Sequence, residues 1–338
     1  MPSLPRISAL PARQQQKKAV TVLELPGKIG IKGAILSSLL SNNCLLIGFP
    51  DYREPAQRLA RTAGIPYADV LIHHFPDGET RLRLPEQLPE CIVLCITLDH
   101  PNSRLVELAL AAATARDLGV KHITLVAPYL CYMRQDKAFH PGEAVSQRII
   151  GTLLSRWIDA LITVDSHLHR VHQLQDAVPV DPAINLSATT VMSAFLGEQM
   201  DNPFLVGPDE ESEQWVAAIA RDRNFDYSVA RKQRLGDQQV RISLPKAGYR
   251  NRHIVLVDDV ASTGHTLEEA ALALACFEPA SISVLVTHAL FVGDAQKRLH
   301  QASVSHIWST DAIPHSSNTL HLDHLLADAL SEYRYPRR

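Results

Sequence analysis

The sequence predicts an α/β protein built from two similar units, each a mostly parallel sheet flanked by helices. Three observations lead to this fold class. Short apolar runs rich in Val, Ile and Leu alternate with longer helix-forming stretches, a pattern typical of parallel sheets covered on both faces. The second half of the chain repeats the order of motifs in the first half. Residues 253–275 form a strand, a small-residue turn and a helix, with two acids after the apolar run Ile254–Val257.

The repeat is carried by three pairs of matching segments. These are 45–51 (LLIGFPD) with 204–209 (FLVGPD), 78–85 (GETRLRLP) with 236–245 (GDQQVRISLP), and 92–94 with 254–256. Where the second half has Asp258 and Asp259, the first half has Ile96 and Thr97. We therefore predict a duplicated unit in which one copy keeps the acids. Chance similarity between apolar strands is the alternative.

Composition limits the possible classes of protein. The 338 residues suit two domains, and 46% hydrophobic with 20% charged residues is ordinary for a soluble globular protein. A net charge of −3 disfavours a general nucleic-acid binder, and no apolar run has the length of a membrane span. The five cysteines are scattered, so we predict reduced thiols in a cytoplasmic protein.

We expect three regions along the chain. Residues 1–40 contain prolines and a QQQKK run, which predicts a disordered or loosely packed extension, with an organelle transit peptide as the alternative. The expected N-terminal domain covers residues 41–182 and is joined by residues 305–335. The expected C-terminal domain covers residues 183–304.

The turn that follows the strand at residue 254 predicts a sugar-phosphate site. Backbone N–H groups at a helix start have no intrahelical partner, and Gly264 lets the backbone approach a ligand closely. Hydroxyl groups of Ser262, Thr263 and Thr266 add donors. Paired carboxylates repel a bare phosphate, but they accept hydrogen bonds from a ribose diol or bind Mg²⁺. A βα-turn with solvated acids is the alternative.

Two loops of the first half contain groups suited to a nucleotide. Residues 75–79 (FPDGE) predict a hairpin turn whose aromatic ring and acids could frame a purine. Residues 129–143 follow a strand, and their Arg134, Gln135 and Asp136 suit a base or a polyphosphate. An ordinary hairpin and a solvated loop are the respective alternatives.

Two further loops contain groups suited to phosphate chemistry. His167 follows the strand Ala160–Val164, where a histidine can bind metal or phosphate. Residues 231–237 form a basic cluster, and phosphoryl transfer needs positive charge on the transferred group. A solvated basic face is the alternative for this cluster.

Taken together, these loops resemble those of the ribose-phosphate diphosphokinases, the enzymes that make phosphoribosyl diphosphate. The resemblance runs from residue 44 to residue 332 and includes the FPDGE turn, the RQD loop, the D.H element, the K.R.GD cluster and the DD..STG.T turn. It implies two phosphoribosyltransferase-like domains. It also implies transfer of the diphosphoryl group of Mg-ATP to the 1-hydroxyl of ribose 5-phosphate, with AMP released, and a homo-oligomer that shares its ATP site between subunits.

The resemblance assigns a role to each matching residue. The residues implied for ribose 5-phosphate are Asp258, Asp259, Ser262, Thr263, Gly264, His265 and Thr266. Those implied for ATP are Phe75, Asp77 and Glu79, reaching across from a neighbouring subunit, together with Arg134, Gln135 and Asp136. Those implied for the metal are His167, Asp209 and Asp258, and Lys232 and Arg234 are implied to stabilise the transition state.

The chain departs from the family pattern in several places. Ser166, Gln233 and Ser262 each replace a residue that is common in the family. Residues 210–212 (EES) stand where members usually have a glycine-containing diphosphate loop. Two glutamates would repel a diphosphate unless metal intervened, which predicts a lower rate or a different acceptor.

Two other functions compete with this prediction. A phosphoribosyltransferase that consumes phosphoribosyl diphosphate would use the same turn, but the second domain and the FPDGE turn argue against it. A non-catalytic, regulatory relative would explain the acids at residues 210–211. The retention of His167, Lys232 and Arg234 argues against this second alternative.

Overall fold

The computed structural model describes residues 44–168, 170–234 and 240–333. For residues 232–234, 240 and 241 it describes the backbone alone. The extension expected over residues 1–40 lies outside the described part of the chain. None of the described helices combines the length and hydrophobicity that a membrane span requires.

The first half forms a six-stranded parallel sheet and a two-stranded hairpin. Its elements are β1 (Cys44–Gly48), α1 (Arg53–Ala63), β2 (Tyr67–Asp69), β3 (Leu71–His74), β4 (Thr80–Arg83), β5 (Cys91–Cys95), α2 (Pro101–Asp117), β6 (His122–Val126), α3 (Ser146–Leu154), β7 (Ala160–Val164), α4 (Leu174–Ala177) and β8 (Ala183–Leu186). The sheet order is β2-β1-β5-β6-β7-β8, and β3 pairs antiparallel with β4.

The second half repeats this plan. Its elements are α5 (Thr189–Gln199), β9 (Phe204–Gly207), α6 (Glu213–Arg223), β10 (Tyr227–Val229), β11 (Arg231–Arg234), β12 (Val240–Ser243), β13 (His253–Ala261), α7 (His265–Ala275), β14 (Ser281–Ala289), α8 (Ala295–Gln301), β15 (Val304–Thr310), β16 (Asn318–Leu320) and α9 (Asp323–Glu332). The sheet order is β10-β9-β13-β14-β15-β16, and β11 pairs antiparallel with β12.

The strand registers agree with the predicted internal duplication. Ile47 of β1 lies opposite Leu94 of β5, and Val206 of β9 lies opposite Leu256 of β13. These are the positions that the sequence match places in correspondence. The two sheets also have the same strand order and the same hairpin between their second and third parallel strands. The predicted fold class is therefore confirmed.

One hydrophobic core lies between the two sheets and contains side chains from both. Leu46 and Val93 of the first sheet belong to it, as do Leu205 and Val255 of the second. The neighbouring residues along the same strands point the other way, into a separate core on the outer face of each sheet. Because parallel strands are buried on both faces, they appear in the sequence as continuous apolar runs.

Sheet membership near residues 183 and 305 is described by the structure, and the expected domain boundaries stay a prediction. The strand at residues 183–186 is the edge strand of the first sheet, and residues 304–320 contribute two strands to the second. Of the region expected to join the first half, α9 contacts α1, with the Thr62 hydroxyl donating to Asp323 over 2.6 Å. Asp311, after β15, also accepts from the Tyr52 hydroxyl over 2.8 Å and from Arg58 over 2.6 Å. Apolar strand patterns do not show which sheet a strand joins.

A glycine on α3 allows a close approach that a stability measurement can test. A Cβ atom at Gly151 would overlap the carbonyl oxygen of Ala177 at the end of α4. Because that neighbour is backbone, we expect Gly151→Ala to lower the free energy of unfolding by about 1–3 kcal/mol, the usual cost of overpacking. Chemical denaturation measures this change.

Gly197 on α5 provides the matched control. A Cβ there would lie 2.8 Å from the end of the flexible Arg223 side chain, which can move aside. Gly197→Ala is expected to change stability by less than about 1 kcal/mol, because alanine also favours a helix. Equal losses in the two variants would contradict the packing explanation.

Candidate active site

The turn between β13 and α7 is tightly shaped by its neighbours. Gly264 is buried at the start of the helix with φ of 72°, a conformation that costs other residues about 1–2 kcal/mol. A Cβ at this position would also meet the Cβ of Ala295 at 3.3 Å. The requirement for glycine here is thus both conformational and steric.

The backbone of this turn has its carbonyl groups occupied and its amides unpaired. The carbonyl of Ala261 accepts from the amides of Leu290 and Phe291, and that of Ser262 from the amide of Val292. Within the residues that the structure describes, the amides of 263–266 have no hydrogen-bond acceptor. Successive free amides at a helix start favour an anion, so the turn predicted from the sequence has the geometry of an anion site.

The two acids lie within β13. The sequence had suggested that they belong to the turn after the strand, so this expectation was wrong. The strand was expected to end at Val257, but it continues to Ala261 because β14 is equally long and pairs with it to that residue. Asp259 is only 4% exposed. The carboxylates therefore belong to the strand, just before the turn in sequence.

His167 connects the first half to the acids of the second. Its Nδ1 lies 2.8 Å from Oδ2 of Asp259, and its Nε2 lies 3.7 Å from Oε2 of Glu211. The hydrogen bond to Asp259 raises the pKa of His167 against the opposing effect of burial. Burial also raises the pKa of Asp259, but the hydrogen bond from His167 and the charges of His167 and His288 outweigh it, so that this pKa is lowered.

We predict that His167 titrates above the ordinary histidine pKa of about 6.5. Buried His288 provides a contrast in the same molecule, because burial lowers its pKa. Imidazole NMR resonances followed through a pH titration measure both values. Asp259→Asn should bring the His167 midpoint down towards the ordinary value, whereas an unchanged midpoint would contradict the assigned cause.

The sign of the effect on stability follows from these directions. The His167 contribution is fully present below about pH 6.5 and disappears as pH rises through the raised folded pKa. The Asp259 contribution is present above about pH 4 and disappears as pH falls through the lowered folded pKa. The pair should therefore stabilise the fold most between about pH 4 and pH 6.5.

Asp258 and Asp209 are suited to bind a cation that also contacts a bound ligand. Burial raises the pKa of Asp258 well above its usual range, and the charges of Asp259 and Asp209 add to this effect. In the described part of the chain, no three His, Cys, Asp or Glu side chains are grouped so that they could hold a metal ion. Mg²⁺ commonly uses one or two carboxylates together with water and substrate phosphates, so the donors present fit it.

Asp209 and the acids after it have specific places in the structure. The Asp209 carboxylate accepts from the amides of Glu211, at 3.2 Å, and Ser212, at 3.3 Å, and so caps the short helical turn Glu210–Ser212. The turn places Oε2 of Glu211 3.7 Å from Nε2 of His167, where a protonated imidazole would partly offset the charge of the glutamate. The departure at residues 210–212 thus places one carboxylate near the predicted metal ligand.

A cavity of about 200 Å³ lies beside His167. Arg134 and Gln135 line it, together with Tyr129, Ser166 and His288. The Ser146 hydroxyl donates to Oε1 of Gln135 over 2.7 Å, which links this loop to the start of α3. Asp136 instead accepts from Arg170 over 2.6 Å and is absent from the cavity wall.

The other predicted nucleotide residues lie apart from this cavity. Phe75, 38% exposed, is part of the turn between β3 and β4, where its amide donates to the carbonyl of Glu79 over 2.8 Å. The Asp77 carboxylate accepts from the Glu79 amide over 3.1 Å. The hairpin prediction is confirmed. Within a single chain, however, residues 75–79 are not part of the cavity wall that contains Arg134. Lys232 and Arg234 lie on β11, and their side chains are outside the described part of the structure.

Two residues that sequence reasoning did not select join the halves. The Asp165 carboxylate, at the end of β7, accepts from Trp215 over 3.0 Å, Thr287 over 2.8 Å and the Ala188 amide over 3.0 Å. His288 donates from Nε2 to the carbonyl of Val164 over 3.0 Å. An acid directly after a buried strand was a usable signal for Asp165, whereas nothing in the apolar run around His288 distinguished it.

Comparison with known proteins adds independent information. Residues 45–157 match a family model described as the N-terminal domain of ribose phosphate pyrophosphokinase, and residues 182–318 match the phosphoribosyl transferase domain. The ribose-phosphate pyrophosphokinase of Methanopyrus kandleri is 34% identical over 261 residues, which cover 76% of this chain and 88% of the relative. That of Methanosarcina acetivorans is 32% identical over 286 residues, covering 84% and 98% respectively.

A solved structure shows the same overall fold. The phosphoribosylpyrophosphate synthetase of Mycobacterium smegmatis superimposes with a TM-score of 0.73 at 21% identity, covering 86% of this chain and 98% of that one. The duplicated sheets and the turn after β13 define a phosphoribosyltransferase-like α/β protein. More narrowly, the chain belongs to the ribose-phosphate pyrophosphokinase family, also called the ribose-phosphate diphosphokinases. The predicted family is confirmed, and the roles of individual residues remain predictions.

Proposed function

We propose that the protein transfers the diphosphoryl group of Mg-ATP to the 1-hydroxyl of ribose 5-phosphate, giving phosphoribosyl diphosphate and AMP. Membership of the ribose-phosphate pyrophosphokinase family supports this reaction. The observation that carries it is the turn at residues 262–266, whose free amides lie next to two buried or half-buried carboxylates. Free amides suit the 5-phosphate, and carboxylates accept hydrogen bonds from the ribose hydroxyls.

The sugar is held by Asp258, Asp259 and the turn that follows them. Asp259 stays ionised because His167 donates to it, so it is a strong acceptor for a ribose hydroxyl. The side chains of Ser262, Thr263 and Thr266 add donors around the phosphate, and His265 lies at the first helical position. In the proposed complex, the 1-hydroxyl of the sugar points towards the cavity beside His167.

ATP occupies that cavity, where Arg134 and Gln135 contact its polar groups. Phe75, Asp77 and Glu79 frame the adenine from a second copy of the chain, because their turn is exposed and does not line the cavity of its own chain. A homo-oligomer with a shared ATP site is therefore part of the proposal. Lys232 and Arg234 stabilise the negative charge of the transferred group.

Mg²⁺ is the cofactor of the proposed reaction. Asp209 and Asp258, with water and the substrate phosphates, would hold it, and His167, the third residue that the family resemblance implies, would join them only as a neutral imidazole. When bound, the ion would neutralise charge on the transferring phosphates. Glu211 lies 3.7 Å from Nε2 of His167, which would partly offset the charge of this one carboxylate when the imidazole is protonated.

Product analysis tests the proposal directly. The full chain is incubated with ATP, ribose 5-phosphate and Mg²⁺, and AMP and phosphoribosyl diphosphate are measured by chromatography. Both products are expected in equal amounts, and AMP should not form when the sugar is omitted. Absence of AMP would overturn the proposal, and consumption of phosphoribosyl diphosphate with a nucleobase would indicate a phosphoribosyltransferase. Activation of a separate synthetase without turnover would indicate a regulatory relative.

A further inference from the structure

Arg298 on α8 lies behind the anion-binding turn and contacts its backbone. Its Nη2 donates to the carbonyl oxygen of Thr263 over 2.5 Å. Its Nε donates to Oε2 of Glu268, in the first turn of α7, over 2.9 Å, and its Nη1 contacts Asp294. One guanidinium therefore links α8, the turn and the first turn of α7.

The bond to the Thr263 carbonyl determines where the next amide points. In a planar trans peptide, the C=O and the following N–H point in opposite directions. A carbonyl held towards Arg298 on one side of the turn therefore directs the N–H of Gly264 to the other side. That N–H is one of the amides without an acceptor in the described part of the chain.

Among the carbonyls of residues 261–264, that of Thr263 alone is held by a side chain in the structure described. Those of Ala261 and Ser262 accept from backbone amides of residues 290–292, and that of Gly264 accepts from the Glu268 amide within α7. Backbone bonds persist when a side chain changes. Among the peptide groups of residues 261–264, the Thr263–Gly264 peptide is thus the one whose orientation depends on a side chain, so a single substitution can change it.

The charges around Arg298 indicate that it acts on the turn and not as a direct phosphate ligand. Glu268 and Asp294 both form ion pairs with it, so that two carboxylates compensate its charge. Its five donors have fixed directions in the planar guanidinium fork, and lysine cannot reproduce this geometry with several acceptors at once. The side chain is also only 30% exposed.

We propose that Arg298 is a positioning residue that orients the Gly264 amide towards the phosphate group of the sugar. The inference rests on the proposed function, since it assumes that the turn at residues 262–266 binds the 5-phosphate. It adds a residue outside the turn whose loss weakens phosphate recognition while the chemistry of diphosphoryl transfer is preserved.

The experiment compares Arg298→Gln with Lys297→Gln in the full-length chain. Lys297 is the exposed neighbour on the same helix, so its replacement removes the same charge without touching the turn. Calorimetry measures the affinity for ribose 5-phosphate and for a non-hydrolysable ATP analogue, and steady-state kinetics separates KM from kcat. Thermal unfolding of each variant monitors the fold.

Arg298→Gln should weaken ribose 5-phosphate binding and raise its KM by about tenfold, the effect of one misdirected hydrogen bond to a charged group. Its kcat and its affinity for the ATP analogue should stay within about threefold of the parent, as should every value for Lys297→Gln. Arg298→Lys should recover part of the sugar affinity, since one ammonium donor can still reach the Thr263 carbonyl. If Arg298→Gln does not fold, Arg298→Lys is used instead to measure the change in sugar affinity and KM.

The possible outcomes separate this inference from the function on which it rests. If the parent chain binds no ribose 5-phosphate, the proposed function is wrong and the inference falls with it. If the parent binds the sugar and Arg298→Gln binds it equally well, Arg298 does not position the turn. Parallel losses of sugar affinity, ATP-analogue affinity and kcat would show a general structural role and would also overturn the inference.

Discussion

Lys232→Ala is expected to lower kcat by about a hundredfold to a thousandfold, the usual effect of removing one group that stabilises transition-state charge. Lys232 lies on β11 opposite Ile242, in the hairpin that follows the edge strand of the second sheet. The affinity for a non-hydrolysable ATP analogue should change by less than about threefold, because the interaction strengthens as charge moves during transfer. Rapid-quench kinetics and calorimetry measure the two quantities separately.

Arg231→Ala is the matched control for this prediction. Arg231 begins the same strand and is exposed, so its loss removes one positive charge from the hairpin without removing the residue that the family resemblance selects. Its kcat should remain near that of the parent. Equal losses of turnover and of nucleotide affinity in Lys232→Ala would assign Lys232 to ground-state binding.

Asp259→Asn is expected to weaken ribose 5-phosphate binding by roughly a hundredfold, because hydrogen bonds to charged groups contribute about 1.5–3 kcal/mol each. The substitution removes a charged acceptor for the sugar and also the partner of His167 at 2.8 Å. Binding of an ATP analogue should weaken much less, since Asp259 does not line the cavity beside His167. Calorimetric titration with each ligand gives the comparison.

Asp258→Asn tests whether the two acids have different roles. Without bound Mg²⁺ the raised pKa of Asp258 makes its carboxyl more readily neutral than that of Asp259, so a neutral amide resembles it more closely, and sugar binding is compared without Mg²⁺. The substitution also leaves the bond between His167 and Asp259 in place. The loss of sugar affinity should therefore be smaller, and the NMR midpoint of His167 should stay high. A larger loss in Asp258→Asn than in Asp259→Asn would reverse the assignment.

Much of the fold could be predicted because each unit uses local signals that do not depend on distant contacts. The apolar run of β7 predicted its bounds, Ala160–Val164. The match between residues 92–94 and 254–256 predicted which strands of the two halves correspond, and these strands pair with the same register in both sheets. The end of β13 could not be predicted in this way. Its continuation through Asp258 and Asp259 depends on pairing with β14, which is a contact between separate segments.

The site shows the same limit more clearly. Motifs placed Asp259 and His167 at strand ends, but they are 92 residues apart in sequence and their hydrogen bond depends on how the two sheets pack. The roles of Asp165 and His288 arise from the same packing. Arg298 lies in a helix with no recognisable motif. Its side chain donates to the backbone carbonyl of Thr263, and every residue has such a carbonyl, so the sequence does not indicate this contact.

The three residues that follow β7 make the second sheet dependent on the first. Trp215 and Thr287 each donate to Asp165, and Asp259 accepts from His167, so one short loop supplies partners to three separate elements. A fragment cut to contain only the second half would keep every strand of its own sheet. In this fragment, however, Trp215, Thr287 and Asp259 would lose their hydrogen-bond partners, and buried polar groups without partners are costly. The apolar face that packs against the first sheet would also be exposed to solvent. The second half alone should therefore be less stable than it is within the whole chain.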